Sequence, residues 1–155
     1  MSDTPKFMRR VIKVKLDDPK LAPFRAHASD AGADLFSKET LSIVPGEQGL
    51  VDTGVAIKIP LGHVGFIFNR SSQGKQRIQI ANGTGVIDSD YRGTIRVLLR
   101  NDSEVTYNII KYETRIAQLV IVPIVLGEFE SWDISDETLW NDTERGTGGF
   151  GSTGT

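Results

Sequence analysis

Five stretches interrupt the apolar pattern of this 155-residue chain with residue types that can do chemistry. The first is Asp30–Ser37 (DAGADLFS), where Asp34 stands at the start of a β-like run and could turn its carboxylate to a cation; an ordinary turn carboxylate fits the same letters. The second is Asn69–Lys75 (NRSSQGK). Arg70 followed by Ser71 and Ser72 offers a planar fork, two hydroxyls and backbone N–H groups, a set suited to phosphate, while a plain serine cap beside an exposed arginine explains it as well. It is not a Walker A loop, because Gln76 fills the hydroxyl position after Gly74-Lys75 and no glycine opens the loop.

The third, Asn82–Gly93 (NGTGVIDSDYRG), is the most informative. Its glycines permit close backbone approach, Asn82 can pair with an amide-bearing ring, and Asp88, Asp90 and Tyr91 crowd into four positions. A hairpin is the simple reading, and a hairpin can itself present backbone groups to a base. A carboxylate on it is a candidate base for water. The fourth is Gln118 inside the apolar run Arg115–Pro123; an amide there needs partners or costs about 1–3 kcal/mol. The fifth is the ending RGTGGFGSTGT. Its Gly146, Gly148 and Gly151 match a dinucleotide fingerprint in spacing only, since no strand precedes and no helix can follow. Glycine-rich backbone carrying Arg145, Phe150 and Ser152 suits a lid that orders over a phosphorylated ligand, and a disordered tail is the alternative.

The elements that must position these groups have a period of two. Ile12, Val14 and Leu16 alternate with lysines, and further β-runs are expected at Leu41–Val44, Leu50–Ile59 (broken at Gly54), Val64–Phe68, Gln76–Ile80, Thr94–Leu99 and Val105–Ile110. Arg115–Pro123 is almost continuously apolar and predicts a central strand. Gly and Pro recur at the spacing of an all-β sandwich or barrel. One short helical turn is expected after Arg70, capped by Ser71 or Ser72. The expectation is a single domain: a β core over 1–144 and a flexible arm over 145–155.

Composition narrows the ligand. A net charge of -2 gives no bulk case for nucleic acid or an anionic membrane. With no cysteine and only His27 and His63, a metal would be hard and oxygen-bound, pointing to Mg²⁺. The start, MSDTPKFMRR, lacks an apolar leader and no run spans a bilayer, so a cytoplasmic protein is expected.

Together and in this order, the five stretches resemble the homotrimeric dUTPase family, from about Asp30 to Thr153. The resemblance implies a jelly-roll-like β-barrel fold and Mg²⁺-assisted hydrolysis of dUTP to dUMP and pyrophosphate, limiting uracil incorporation into DNA. It implies that Asp34 holds the Mg²⁺ through water, and that Arg70, Ser71 and Ser72 bind phosphate oxygens. Asn82 and the backbone of Gly85, Val86 and Ile87 would contact uracil, Asp88 would orient the attacking water, and Tyr91 would pack under the sugar. Gln118 would reach the phosphates, and Arg96 the ligand. Arg145 and Ser152 would clamp the γ-phosphate, Phe150 would stack on uracil, and Gly151 would let the backbone approach. The sites would be shared between three subunits. Asn69 stands where the family commonly has proline, and Gln73-Gly74 where it has a more apolar pair, which bears on how the short helix packs. Two rivals remain: a dCTP deaminase of similar fold, which would release ammonia, and a nucleotide-gated binding protein on the same scaffold.

Overall fold

The computed structural model describes residues 10–132, 135, 138, 140 and 143–148. Contacts gather residues 1–125 into one compact unit and 126–155 into a second.

The first unit is all-β apart from one short helix and a 3₁₀ turn at Pro19–Leu21. Its strands are β1 (Lys13–Leu16), β2 (Ala33–Phe36), β3 (Leu41–Ile43), β4 (Gln48–Asp52), β5 (Val55–Lys58), β6 (His63–Phe68), β7 (Ile78–Ile80), β8 (Gly85–Ile87), β9 (Arg96–Asn101), β10 (Tyr107–Ile109) and β11 (Arg115–Pro123); the helix α1 is Ser71–Lys75. They form a four-stranded sheet β2-β11-β6-β8, a three-stranded sheet β4-β9-β7, and two ribbons, β1-β5 and β10-β3. Every pairing is antiparallel.

The alternating residues explain the core. Leu35, Ile67, Ile116, Ala117 and Leu119 from the larger sheet meet Val51, Val97, Leu99, Ile78 and Ile80 from the smaller one, with Ile43, Ile57 and Ile109 from the ribbons. Each such buried leucine, isoleucine or valine stabilises by about 1.5–3 kcal/mol. The run Arg115–Pro123 is a central strand, flanked by β2 and β6, as its apolar letters require. Among the described residues no ladder closes the sheets into one barrel; turns such as Gly54 and Gly62, both at positive φ, end the ladders first.

Two of the expected strands begin later than their letters suggest, for visible reasons. Arg77, at φ 58°, turns the chain after α1, so β7 begins at Ile78 rather than Gln76. Before β10, Asn101 captures the turn: its Oδ1 accepts from the Ser103 N–H (2.9 Å) and hydroxyl (2.7 Å), and its Nδ2 donates to the Val105 carbonyl (2.8 Å). No helix among the described residues is long and apolar enough to cross a membrane.

In the second unit residues 126–132 have no regular structure and 143–147 make turns. Gly146 and Gly148 donate backbone bonds to the carbonyls of Thr143 and Arg145 (both 3.1 Å). The rings of Trp132 and Trp140 meet edge to face with centroids 6.2 Å apart.

Candidate functional site

The second sequence stretch folds into α1 because the side chain of residue 73 returns to its start. The helix cap is Arg70, in extended conformation, and not Ser71 or Ser72 as the hydroxyls suggest. The Gln73 Oε1 accepts the Arg70 N–H at 3.0 Å, satisfying a donor that a serine cap would have left to water. Gln73 is 2% exposed, and its Nε2 donates to the Ile116 carbonyl at 2.8 Å. The glutamine that departs from the family's apolar pattern is therefore a satisfied buried amide joining α1 to β11. Asn69 is equally engaged. Its Nδ2 donates to the Ile78 carbonyl and the Gln79 Oε1 (2.9 Å each), and its Oδ1 accepts from the Ile80 N–H (2.8 Å). A proline could fix the local φ but could not make these three bonds.

This frame places a cationic cradle. Arg70 Nε donates to Asp34 Oδ1 at 2.7 Å, and its Nη1 donates to the Ser72 hydroxyl at 3.2 Å. Ser71 and Ser72 are exposed on the first turn of the helix. Gln118 lies between Asp34 and Phe68 in register, and its Nε2 donates to the Asn69 carbonyl at 2.8 Å. A Cβ on Gly32 would stand 2.2 Å from Gln118 Oε1, so a larger residue there would push that amide from its present position. Two cavities, of about 430 and 560 Å³, share Arg70 and a second arginine, Arg115. Tyr107 lines the larger one; burial pushes its phenol up, against a Gln73 hydrogen bond and the Arg70 charge.

Arg115 is the site residue that sequence reasoning missed. Its Nη1 donates to Asp34 Oδ2 at 3.2 Å, so two guanidinium groups grip one carboxylate that is 18% exposed. The available signal was RIAQ itself, two apolar residues side by side between two polar ones, which breaks strict alternation.

The hairpin of the third stretch makes a separate centre. β8 pairs with β6 only and is the edge of its sheet, so the outward backbone groups of Gly85–Ile87 have no ladder partner among the described strands. Gly85 fits because a Cβ would meet Ile67 Cβ at 2.9 Å. After β8 the chain turns, Tyr91 N–H donating to the Asp88 carbonyl at 3.2 Å, and the Tyr91 hydroxyl donates to the Thr94 carbonyl at 3.1 Å. Asp88 and Arg96 are exposed and line a cavity of about 250 Å³ with Val86, Ile87, Tyr91 and Leu50. Asn82 is exposed just before β8.

Within one chain the two centres stay apart. Ile87 stands opposite Gly65 and Gln118 opposite Phe68. Three residues along β6 and two strand spacings across separate them, roughly 14 Å at 3.3 Å per residue and 4.8 Å per strand. Arg145 is exposed, its Nε donating to the Gly148 carbonyl at 2.9 Å; Phe150, Gly151 and Ser152 lie outside the described residues. Among the described residues no three acidic or imidazole groups gather to hold a bare metal ion. Each Asp34 oxygen accepts a bond from one arginine and keeps lone-pair capacity for a water of a hydrated cation.

A model of the dUTPase family matches residues 18–154. The chain is 45% identical over 146 residues to the deoxyuridine 5'-triphosphate nucleotidohydrolase of Corynebacterium diphtheriae, covering 93% of each chain. It is 44% identical to the enzyme of the same name from Cutibacterium acnes, covering 88% of this chain and 87% of that one. A structure of the Staphylococcus bacteriophage 80alpha dUTPase with dUPNHPP superposes with a TM-score of 0.82 at 32% identity, covering 95% of this chain and all of that one. A mutant dUTPase from phage phi11 of S. aureus, described for its coordination of a structural Mg(II) ion, gives 0.73 at 30% identity over 81% of this chain and 99% of that one.

Proposed function

This chain belongs to the dUTPase family, and on that premise we infer that it hydrolyses dUTP to dUMP and pyrophosphate at sites shared between the subunits of a homotrimer. The jelly-roll-like β fold is the one its structural neighbours carry. The observation that carries the reading is the cradle of Asp34, Arg70, Ser72 and Gln118, assembled from three distant segments beside cavities of about 430 and 560 Å³. The shared site is what membership of the family supports; within one chain the cradle and the Asp88 hairpin stand roughly 14 Å apart along the sheet. The arm over 145–155 belongs to the same domain as a lid.

Arg70, with Ser71 and Ser72, binds the phosphate oxygens, and Gln118 faces the same region. Mg²⁺ supplies charge neutralisation on the triphosphate, and Asp34 is the residue that would hold it through water. The free backbone edge of Gly85–Ile87, with Asn82, reads uracil. An amide edge with reversed donors and acceptors, as in cytosine, leaves those groups unpaired and is rejected strongly. A 5-methyl group meets backbone. Tyr91 lies under the deoxyribose and Ile87 fills its 2′ side, while Arg96 reaches the ligand from β9. Asp88 takes hold of a water and aims it at the α-phosphorus, and pyrophosphate leaves. Arg145 and Ser152 clamp the γ-phosphate, Phe150 stacks on uracil and Gly151 admits the backbone.

The test is pyrophosphate release from each of the four common dNTPs and dUTP with Mg²⁺. Release from dUTP alone is expected. Ammonia from dCTP, or binding of dUTP without cleavage, would replace this reading with a deaminase or a nucleotide-gated binding protein.

A further inference from the structure

Arg115 reaches the cradle only because a β-ladder is defective. Between Arg115 and Ala117 the pairing of β11 with β2 shifts by one residue: Ala117 opposes Leu35, and Arg115, not Ile116, opposes Phe36. In an unbroken strand side chains alternate between faces, so residue 115 would share the core face with Ala117 while Gln118 faced the site. With Ile116 as the extra residue, Ile116 and Ala117 are both fully buried and Arg115 turns to the face of Asp34 and Gln118. A bulge commonly serves to re-aim one side chain in this way.

Once there, the guanidinium is fixed on several sides. It lies 4.9 Å from the ring centroid of Phe24 and 5.9 Å from that of Phe36. Phe24 in turn exchanges both backbone bonds with Asp34, at 2.7 and 3.0 Å. Arg115, Phe24 and Asp34 thus form one body, whereas Arg70 touches Asp34 through Nε and Ser72 through Nη1 from the cap of a short helix.

We infer that Arg115 is a positioning residue: it keeps Asp34 aimed and charge-compensated when the triphosphate draws Arg70 away. The inference rests on the function proposed above. Phosphate oxygens compete for Arg70, because charge-assisted fork contacts to phosphate are strong. If Arg70 were the sole partner, substrate would strip a part-buried carboxylate of its cation and leave it beside new negative charge. Arg115 supplies the second cation on the other carboxylate oxygen, so Asp34 keeps its orientation toward the hydrated cation on the substrate.

The experiment titrates a non-hydrolysable dUTP analogue calorimetrically into full-length wild type, Arg115→Gln, Arg115→Lys and Phe24→Leu over a series of Mg²⁺ concentrations, and repeats it with dUMP. Loss of a residue that orients a metal's partner typically weakens the metal complex about 10–100-fold. Arg115→Gln should weaken the Mg²⁺-analogue complex by that much and raise the Mg²⁺ concentration at half-maximal binding, with dUMP affinity unchanged. Arg115→Lys keeps the charge but not the fork lying on Phe24, and should be intermediate. Phe24→Leu should shift the same midpoint less. Wild-type Mg²⁺ dependence in Arg115→Gln, or an equal loss for dUMP, would overturn the role. Should Arg115→Gln fail to fold, wild-type behaviour in both remaining variants overturns it. A wild type that cleaves no dUTP would instead overturn the function itself.

Discussion

Replacing Gln73 by leucine isolates what a buried amide contributes to this site. Leucine fills a similar volume at a position 2% exposed, yet gives nothing to the Arg70 N–H or the Ile116 carbonyl. Ile116 is fully buried and lies at the bulge, where the ladder to β2 offers its carbonyl no substitute. An unsatisfied buried group costs about 1–3 kcal/mol. The Arg70 N–H is half-buried and reached in part by water, so its loss adds about 1 kcal/mol. The better burial of leucine returns about 1 kcal/mol. The net is a destabilisation of about 1–3 kcal/mol, which for a chain of this size lowers Tm by roughly 3–10 °C. Scanning calorimetry at one fixed protein concentration reads it, because the proposed trimer would make Tm concentration-dependent. Since Arg70 and Arg115 both hang on these two bonds, KM for dUTP should rise as well. An unchanged or higher Tm would show that the amide is replaceable, and the account of α1 would be wrong.

Asp88→Asn should retain the fold and bind a dUTP analogue while losing about 10²–10⁴-fold in turnover, the usual worth of a general base; near-normal kcat would remove Asp88 from that role. Deleting Gly146–Thr155 should lower kcat sharply without moving the Tm of the β core, and turnover at the full rate would make the lid idea untenable. Lys38 bridges Asp17 and Asp52 at 3.0 and 2.9 Å. Burial pushes the Asp52 carboxyl up, but the Gly54 N–H, Lys38 and Thr94 outweigh it and hold the group below its ordinary value. Its stabilisation is full above the unfolded value of about 3.9 and is lost as pH falls through the depressed folded value. Asp52→Asn should therefore flatten the acid limb of a Tm–pH curve, and a curve parallel to wild type would contradict the assignment.

The β framework was legible because its letters have one period and one meaning. Nine consecutive residues from Arg115 have no polar face to offer solvent, so β11 had to be central. The cradle was half legible. Asp34, Arg70 and Gln118 announce themselves as polar groups at strand ends and inside an apolar run, and the fold brings all three together. The cap of α1 was not legible because serine hydroxyls are the local signal, while the bond that closes the turn comes from a glutamine three residues on. Arg115 was invisible for a related reason. Its face depends on one extra residue in a ladder, and an apolar pair such as Ile116-Ala117 reads equally well as an unbroken buried strand. Asn69 likewise reads as a departure until the partners on β7 are seen.

The chain has two tryptophans, Trp132 and Trp140, and both belong to the unit of residues 126–155. Their rings touch edge to face and are 63% and 65% exposed. The protein therefore carries a natural optical label on the segment that runs into the arm, while the β core, with tyrosines alone, is dark at wavelengths that excite only indole. Indole emission would report the surroundings of that segment directly. The same emission, followed during nucleotide binding, would be a reagent-free signal for events in the segment that leads into the arm.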